Sequence, residues 1–338
     1  MILVTGGTGL LGAHLLFDLL QKEEKIKAIK RSSSSLKQVR QTFHYYSSQA
    51  EELLSNIEWI DADLLDYYSL EEALQGIKHV YHCAALVSFH KEDSDAMMNI
   101  NAEGTKNLVN ACLFHRIDKL LYVSSIAALG RAETKKITTE KTPWKDSDKN
   151  SAYSLSKHKA ELEVWRAMAE GLQAVIINPS VILGPSDWSK GSSELFTLVN
   201  KGLKFYTHGI NGYVYVRDVT KAMIILMNSP IQDERFIVNG EDLSYLELFN
   251  MIAKSLGKKT PGIEIKQWMV EVAWRAYKVK GWFSGKRPAV TKATARSSMQ
   301  AYTYSSDKLI SAINFNYTAL QRGIQLTADC FLNDHKNK

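Results

Sequence analysis

The amino-acid sequence predicts an α/β fold: a doubly wound parallel sheet joined to a smaller, mainly helical C-terminal region. Short apolar runs alternate with longer segments of helical periodicity through the first half of the chain, as in repeated βαβ units. These runs are continuous in Val, Ile and Leu, which is typical of strands that helices cover on both faces. Six such units favour the doubly wound arrangement.

The predicted strands and helices alternate up to residue 178. The strands are 2–5, 26–30, 58–60, 79–82, 120–124 and 174–178. The helices are 10–21, 36–54, 70–75, 102–115 and 152–170. In such a sheet, ligands bind at the carboxyl ends of the strands.

The alternation stops after Pro179. The strand-like "YVYVRDV", a helix that starts near Thr220 and the short strand "RFIVNG" are predicted to rejoin the sheet. From residue 243 onward the pattern is mainly helical. We therefore predict a first domain of residues 1–178, completed by 213–240. A second region, made of 179–212 and 241–338, is predicted to lie over the carboxyl edge of the sheet.

Length and composition are those of an ordinary globular protein. The chain has 338 residues, of which 45% are apolar and 23% are charged. Its longest apolar runs, such as 222–227, are too short to span a bilayer, and Met1 leads straight into the first strand without room for a signal peptide. Cys83, Cys112 and Cys330 are scattered without the spacing of metal ligands. We therefore expect a cytoplasmic protein without a metal.

The net charge of +6 comes from one segment. Residues 258–296 contain ten Lys or Arg and two Glu, and the rest of the chain is slightly acidic. Nucleic-acid binding is therefore not expected. The same segment is rich in aromatic residues. A solvated cationic face with its aromatic side chains turned to the core is the favoured interpretation, and peripheral contact with an anionic membrane is the alternative.

The stretch "VTGGTGLLG" links the first predicted strand to the first helix. It contains Gly7, Gly9 and Gly12 in a G-x-G-x-x-G pattern, with Gly6 three residues before Gly9. Glycines allow a tight turn and bring the backbone close to a pyrophosphate, which the amides of the helix N-terminus then face. A P-loop is excluded because no Gly-Lys-Ser/Thr follows. The predicted Rossmann-type dinucleotide contacts are Gly6, Gly9, Leu10, Leu11 and Gly12.

Tyr153 and Lys157 lie four residues apart on one face of a predicted helix. A Lys ammonium about 4 Å from a phenol contributes up to ~4 kcal/mol at an effective dielectric of about 20. We expect this to lower the pKa of Tyr153 towards neutrality, so that it can exchange a proton with a carbonyl oxygen. Alone, the spacing is more often an ordinary surface pair. The strand that ends in Ser124–Ser125 favours the chemical interpretation, because hydroxyls at a strand's carboxyl end lie where open sheets bind ligands.

Several motifs in a fixed order make the chain resemble one known family, the extended short-chain dehydrogenase/reductases. The motifs are "TGGTGLLG", "DADLLD", "YHCAALVS", "NINAEGTKNLVNAC", "YVSSIAALG", "YSLSK", "NPSVILGP", "YVYVRDVTKAM" and "YSSDKLISAINFNYTALQRGI". They cover nearly the whole chain. The family includes NAD(P)-dependent sugar epimerases, dihydroflavonol reductases and 3β-hydroxysteroid dehydrogenases.

The resemblance implies three catalytic residues. Ser125 matches the serine that binds the substrate oxygen, with Ser124 as the alternative. Tyr153 matches the general acid/base, and Lys157 matches the residue that binds the nicotinamide ribose and lowers the pKa of that tyrosine. The implied reaction passes a hydride between nicotinamide C4 and a substrate carbon, while Tyr153 transfers the proton on oxygen.

The resemblance also implies further cofactor contacts along the sheet edge. They are Asp63 and Leu64 at the adenine, Ala84 and Ala85 beside the cofactor backbone, Lys157 at the nicotinamide ribose, Pro179 and Val181 at the carboxamide, and Ser124 as a further contact. Asn101 matches an asparagine that supports the active-site lysine through water. Arg217–Asp218 matches a strand end for which a structural role is favoured.

The substrate, a small molecule, is expected between the strand ends and the second region. The candidate contacts are Ser88, Phe89, Ser125, Tyr206 and Tyr213, with His208 and Asn211 beside them. His82 and His208 are predicted to be structural rather than catalytic. By resemblance, the protein is expected to form a homodimer through 102–115 and 152–170.

The stretch "KAIKRSSSS" places Lys30 and Arg31 at the end of the second strand, 18 and 19 residues after Gly12. A carboxylate there binds the ribose hydroxyl of NAD, whereas an arginine accommodates the 2′-phosphate of NADP. No acidic residue is adjacent in the sequence. Because guanidinium binds phosphate bidentately, we expect NADP(H) to be preferred over NAD(H).

The expected cofactor preference decides which candidate function is favoured. An epimerase recycles a tightly held NAD within each turnover, whereas a net reductase draws on an exchangeable NADPH pool. We therefore predict an oxidoreductase that reduces an aldehyde or ketone on an apolar scaffold. A nucleotide-sugar epimerase or dehydratase is the first alternative. A non-catalytic dinucleotide sensor is the second, and the complete set of Ser125, Tyr153 and Lys157 argues against it.

Overall fold

A parallel sheet of seven strands forms the centre of the computed structural model, which describes residues 1–22, 25–130, 137–147, 150–266, 268–269, 272, 274–275 and 297–336. The strands are β1 (Ile2–Thr5), β2 (Ile26–Lys30), β3 (Ile57–Asp61), β4 (His79–His82), β5 (Lys119–Val123), β6 (Ala174–Pro179), β7 (Val181–Leu183), β8 (Phe205–Tyr206), β9 (Ile210–Tyr215), β10 (Glu234–Val238), β11 (Glu241–Ser244) and β12 (Ile263–Glu264). The central order is β10-β6-β5-β4-β1-β2-β3, and all neighbours are parallel. The order runs outward from β1 and β4 in both directions, so the predicted doubly wound α/β fold is confirmed.

Helices connect these strands and extend the C-terminal part of the chain. They are α1 (Leu10–Leu19), α2 (Lys37–Tyr46), α3 (Ala50–Ser55), α4 (Tyr67–Ala73), α5 (Ser94–Met97), α6 (Gly104–Phe114), α7 (Ala152–Ala169), α8 (Glu194–Asn200), α9 (Val216–Met227), α10 (Tyr245–Leu256), α11 (Asp307–Ile313) and α12 (Leu320–Lys336). The prediction of one helix over 36–54 is wrong. Ser47 adopts extended dihedrals, and its hydroxyl accepts the Gln49 amide at 3.0 Å, which ends α2 before α3 begins.

The sheet is covered on both faces. Helices α1, α2 and α9 pack on one face, and α4, α6 and α7 pack on the other. Strand β1 shows the consequence, because Ile2 and Val4 lie in the first apolar cluster while Leu3 lies in the second. Each such side chain contributes roughly 1.5–3 kcal/mol through burial. The continuous apolar runs in the sequence therefore reflect burial on two sides.

The segment predicted to rejoin the sheet does so only in part. Strand β10 pairs with β6 as the edge strand, with Glu234 opposite Val175. Strand β9 instead lies between β7 and β11 in a separate three-stranded sheet. The reason is that β10 already occupies the open edge of β6. The division of the chain into two regions stays a prediction.

The C-terminal part has its own apolar cluster, formed by α8, α10 and α12 around Phe196, Ile252 and Phe331.

Most of the basic segment 258–296 lies outside the described residues, namely 267, 270–271, 273 and 276–296. Within the part of the chain that the structure describes, no helix is both long enough and apolar enough to cross a membrane.

Candidate active site

The glycine loop forms a tight turn between β1 and α1. Gly6 has φ +69°, in the left-handed region that favours glycine, and its carbonyl accepts the Gly9 amide at 3.0 Å. A Cβ atom on Gly6 would lie 2.5 Å from the amide nitrogen of Ala84, and one on Gly12 would lie 2.2 Å from the Gly6 carbonyl oxygen. Gly9 precedes α1 and is exposed, so the first amides of the helix lie at the open edge of the sheet. This glycine-lined cradle fits a dinucleotide pyrophosphate.

The packing of Gly12 predicts a stability effect. A Gly12→Ala substitution is expected to destabilise the protein by about 1–3 kcal/mol or more through overpacking, visible as a lower melting temperature. Gly9→Ala is the matched control within the same loop, because its Cβ would lie 3.4 Å from the nearest heavy atom, the Gly6 carbonyl oxygen. Equal melting temperatures for the two variants would contradict this account of the turn.

The other predicted cofactor contacts lie along the same edge. Ala84 and Ala85 follow β4, with Ala85 exposed. Asp63 is exposed after β3, where its carboxylate accepts the Leu65 amide at 3.0 Å. Leu64 differs from its partner, because its side chain is buried in the core and packs where a Cβ of Gly104 would stand. The structure therefore leaves Asp63 as the accessible member of the predicted adenine pair.

Ser125 and Tyr153 meet at the carboxyl end of β5. Ser125 follows the residue after that strand, and its hydroxyl accepts the Ala127 amide at 3.1 Å at the start of a short 3₁₀ turn. Helix α7 begins next to it because Ser151 caps the Ser154 amide at 3.0 Å, which puts Tyr153 in the first turn. The half-buried Tyr153 phenol lies close enough to the Ser125 hydroxyl for that hydroxyl to act on its pKa. The structure thus brings the predicted hydroxyl pair together.

Lys157 lies one turn further along α7, fully buried. Its ammonium donates to the Tyr122 hydroxyl at 2.7 Å and to the Val123 carbonyl at 2.8 Å, and it lies 4.4 Å from the centre of the Tyr122 ring. Burial lowers the pKa of Lys157 to about 7, and the charge of Glu161 opposes that change. The pKa of the buried Lys157 ammonium therefore lies close to neutral pH.

The predicted direction of the Tyr153 pKa is wrong for this arrangement. Burial raises the pKa of Tyr153, and the nearby Ser125 hydroxyl acts in the opposite sense. The Lys157 ammonium is directed at Tyr122 and Val123 instead. The four-residue spacing placed Tyr153 and Lys157 on one helix, but it could not show what the ammonium binds.

Ser124 and Asn101 are both buried and hydrogen-bonded inside the protein, and the water-mediated support of Lys157 by Asn101 stays a prediction. The buried Ser124 hydroxyl donates to Glu161 at 2.6 Å, so this hydroxyl is already bound within the protein. Asn101 accepts the Leu86 amide at 2.7 Å and donates to the Ser156 hydroxyl at 2.9 Å. It therefore fixes the loop after β4 against α7, within a π-helical turn of the kind often found at functional sites.

Lys30 and Arg31 lie at the end of β2 in different surroundings. Lys30 forms an ion pair with Asp61, its neighbour across the β2–β3 register. An acidic residue is therefore adjacent in space, although none is adjacent in sequence. Arg31 is exposed and has no ion pair within the described part of the chain. Arg31 is accordingly the more accessible cation of the two.

The predicted structural residues form supporting contacts. His82 is buried between the hydroxyls of Thr5 at 2.7 Å and Thr105 at 3.0 Å, and burial lowers its pKa to about 3. Arg217 pairs with Asp18 at 2.5 Å. Asp218 accepts the Thr318 amide and hydroxyl, each at 2.9 Å. The exposed His208 lies 3.5 Å from Glu264.

The predicted substrate contacts are not all accessible. Phe89 is 52% exposed in the loop after β4. Ser88 donates to Asp93 at 2.7 Å within the same loop. Tyr206 is half-buried in β8. Tyr213 is 1% exposed inside the C-terminal apolar cluster, so its assignment to the pocket wall is wrong.

The remaining predicted contacts lie at the end of β6 and just after it. Pro179 is the buried last residue of that strand, and the half-buried Val181 is the first residue of β7.

Three residues of the site were not predicted from the sequence. They are Tyr122, Asn178 and Glu161, which bind the side chains or backbone of the catalytic candidates. The only signal in the sequence was the position of Glu161, four residues after Lys157 on the same helix.

The chain is similar to known reductases and matches one sequence family. The putative dihydroflavonol 4-reductase of Synechocystis sp. is 26% identical over 340 residues, covering 98% of this chain and 94% of the relative. Cinnamoyl-CoA reductase 1 of Petunia hybrida is 30% identical over 247 residues, covering 70% of this chain and 72% of the relative. A solved structure described as gox2253 has a TM-score of 0.81 and 29% identity, covering 99% of this chain and 98% of that chain.

The family match covers the glycine loop, the Ser125–Tyr153 pair and Lys157. The sequence model of the NAD-dependent epimerase/dehydratase family matches residues 2–239. This family contains enzymes, and the motif-based resemblance to extended short-chain dehydrogenase/reductases is confirmed. The glycine cradle and the hydroxyl pair on one edge of a doubly wound sheet fit such an enzyme. The chain therefore belongs to the NAD-dependent epimerase/dehydratase family.

Proposed function

We propose that this protein is an NADP(H)-dependent oxidoreductase that reduces an aldehyde or ketone on an apolar scaffold. The observation that carries the proposal is the placement of the Tyr153 phenol beside the Ser125 hydroxyl at the carboxyl end of β5. A carbonyl oxygen held at this pair would meet both a hydrogen-bond donor and a proton donor. Similarity to a dihydroflavonol 4-reductase and to a cinnamoyl-CoA reductase supports the reductive direction.

The protonation of Tyr153 favours reduction. Because burial raises its pKa, the phenol carries its proton at neutral pH, as a donor to a carbonyl oxygen must. A bound nicotinamide supplies the hydride. Ser125 positions the substrate oxygen, Tyr153 gives that oxygen its proton, and the buried Lys157 cation stabilises the negative charge that develops there.

The NADP preference is proposed on the basis of Arg31. Its guanidinium is exposed at the end of β2 without an ion pair among the described residues, whereas the Lys30 ammonium is paired with Asp61. A free guanidinium at this position suits a 2′-phosphate. NAD(H) is the alternative cofactor.

Two other functions are compatible with the family. A nucleotide-sugar epimerase or dehydratase would use the same hydroxyl pair but return the hydride to its substrate. A non-catalytic dinucleotide sensor would not need the Ser125–Tyr153 pair.

The cytoplasmic location and the homodimer also stay predictions. Phe114 on α6 and Leu162 on α7, 66% and 52% exposed, are compatible with a dimer contact.

A panel of carbonyl compounds tests the proposed function. The purified protein is mixed with NADPH and aromatic aldehydes, cyclic ketones and polycyclic ketones, and the loss of NADPH absorbance is followed. We expect at least one apolar carbonyl compound to be reduced. Epimerisation of a nucleotide sugar without net NADPH loss would overturn the proposal in favour of the epimerase. Cofactor binding with no turnover of either class would overturn it in favour of the sensor.

A further inference from the structure

Glu161 is a buried carboxylate behind the candidate active site. It lies one turn after Lys157 on α7 and is 2% exposed. One of its oxygens accepts from the Ser124 hydroxyl at 2.6 Å and the Asn178 amide at 2.9 Å. The other accepts from the Arg235 guanidinium at 2.9 Å and the Trp165 indole at 3.3 Å. Four donors on one carboxylate compensate for its burial and fix its position.

The same carboxylate holds the strand end that carries Ser125. Ser124 is the neighbour of Ser125 in the chain. Asn178, at the end of β6, donates both to Glu161 and to the Ser125 carbonyl, at 2.9 and 3.0 Å. Glu161 therefore links α7, β5 and β6 at the point where the Ser125 hydroxyl meets Tyr153.

Glu161 is also the negative charge that acts on Lys157. The groups that face Lys157 are Tyr122 from β5, His82 and Cys83 from β4 and its end, and Glu161 from its own helix. Burial lowers the pKa of His82 to about 3, raises the pKa of Cys83 to about 12 and raises the pKa of Tyr122. These three groups are neutral at pH 7, so Glu161, itself paired with Arg235 at 2.9 Å, brings the one charge among the described groups that face Lys157.

We propose that Glu161 is a positioning residue for the proposed reaction: it orients Ser125 through Ser124 and Asn178 and serves as the counter-charge of Lys157. The inference rests on the proposed function, because it assigns Glu161 to the support of the same hydroxyl pair and cation. No contact of Glu161 with substrate or cofactor is required.

The test is the pH dependence of Glu161→Gln. Activity is expected to fall as pH rises through the pKa of Lys157, because the charged lysine is the active form. Loss of the Glu161 charge lowers that pKa, so the fall should occur at a pH lower by about one to two units. At neutral pH the loss of kcat should be roughly 5- to 50-fold, and activity should partly recover on acidification.

Two further variants make the result specific. Glu163→Gln is the matched control, because Glu163 lies on the same helix and pairs with Arg166 at 2.9 Å on the outer side; its pH profile should equal that of the wild type. Glu161→Asp keeps the charge and should keep the wild-type pH profile even where kcat falls. An unchanged profile in a folded Glu161→Gln protein would overturn the inference. If Glu161→Gln does not fold, the pH profile of Glu161→Asp decides. A shift of that profile to lower pH, although the carboxylate charge is kept, would overturn the inference.

A binding measurement separates this inference from the proposed function. If no carbonyl compound is reduced, the titration of Lys157 is followed through cofactor binding instead, because the resemblance assigns Lys157 to the nicotinamide ribose. The affinities for NADPH and NADH are then measured by fluorescence as a function of pH. A pH dependence of binding that is displaced in Glu161→Gln supports the role of Glu161 whatever the substrate. Identical dependences in the variant and the wild type would refute it, while a failed carbonyl panel alone refutes only the reductase.

Discussion

Tyr153→Phe is expected to lower kcat by about 10²- to 10⁴-fold while NADPH binding is retained. The variant keeps the ring but removes the proton donor that lies beside the Ser125 hydroxyl. Steady-state turnover with a reduced carbonyl compound and fluorescence titration with NADPH measure the two quantities separately. Tyr68→Phe is the control, because that phenol is 80% exposed on a different helix, α4. Near-normal turnover in purified Tyr153→Phe would remove the proton-transfer role.

Arg31→Ala is expected to weaken NADPH binding roughly 10- to 100-fold and to leave NADH binding nearly unchanged. The size follows from the loss of charge-assisted hydrogen bonds worth about 1.5–3 kcal/mol. Lys30→Ala is the matched comparison at the neighbouring position. Because the Lys30 ammonium is already paired with Asp61, its removal should cost less NADPH affinity than the removal of Arg31. Comparable NADPH and NADH affinities in the wild type and Arg31→Ala would contradict the cofactor preference.

The sheet was predictable from local pattern. The run at 2–5 is apolar at every position before Thr5 because alternate residues of β1 enter opposite apolar clusters, and this two-sided burial is visible without tertiary information. Helix boundaries were less predictable. Ser47 ends α2 through its backbone conformation and a local hydrogen bond, and serine occurs both in helices and in turns. Strand β9 lies outside the central sheet, where β10 forms the edge beside β6. Only the assembled topology reveals this arrangement.

The site was predictable as a set of residues but not as a set of contacts. Motif order placed Ser125, Tyr153 and Lys157 together, and the structure brings Ser125 and Tyr153 close to each other at the end of β5. The direction of the Tyr153 pKa failed because spacing on a helix does not state which groups the Lys157 ammonium contacts or how deeply the phenol is buried.

Long-range partners account for the other errors. Asp61 lies 31 residues after Lys30 in the chain but directly beside it across two parallel strands. The motif match ranked Ser125 above the adjacent Ser124, but only the structure shows that the Ser124 hydroxyl donates to Glu161. Such pairings depend on register between strands and on helix packing, which no local pattern encodes.

The fate of a labelled hydride tests the central claim most directly. NADPH carrying deuterium at nicotinamide C4, on the face that is transferred, is mixed with the protein and a reducible carbonyl compound, and the products are analysed by mass spectrometry. Net reduction predicts one NADP⁺ released for each alcohol formed, with the deuterium on the carbinol carbon. Cofactor that remains reduced while the substrate is isomerised, or an alcohol without deuterium, would contradict the account.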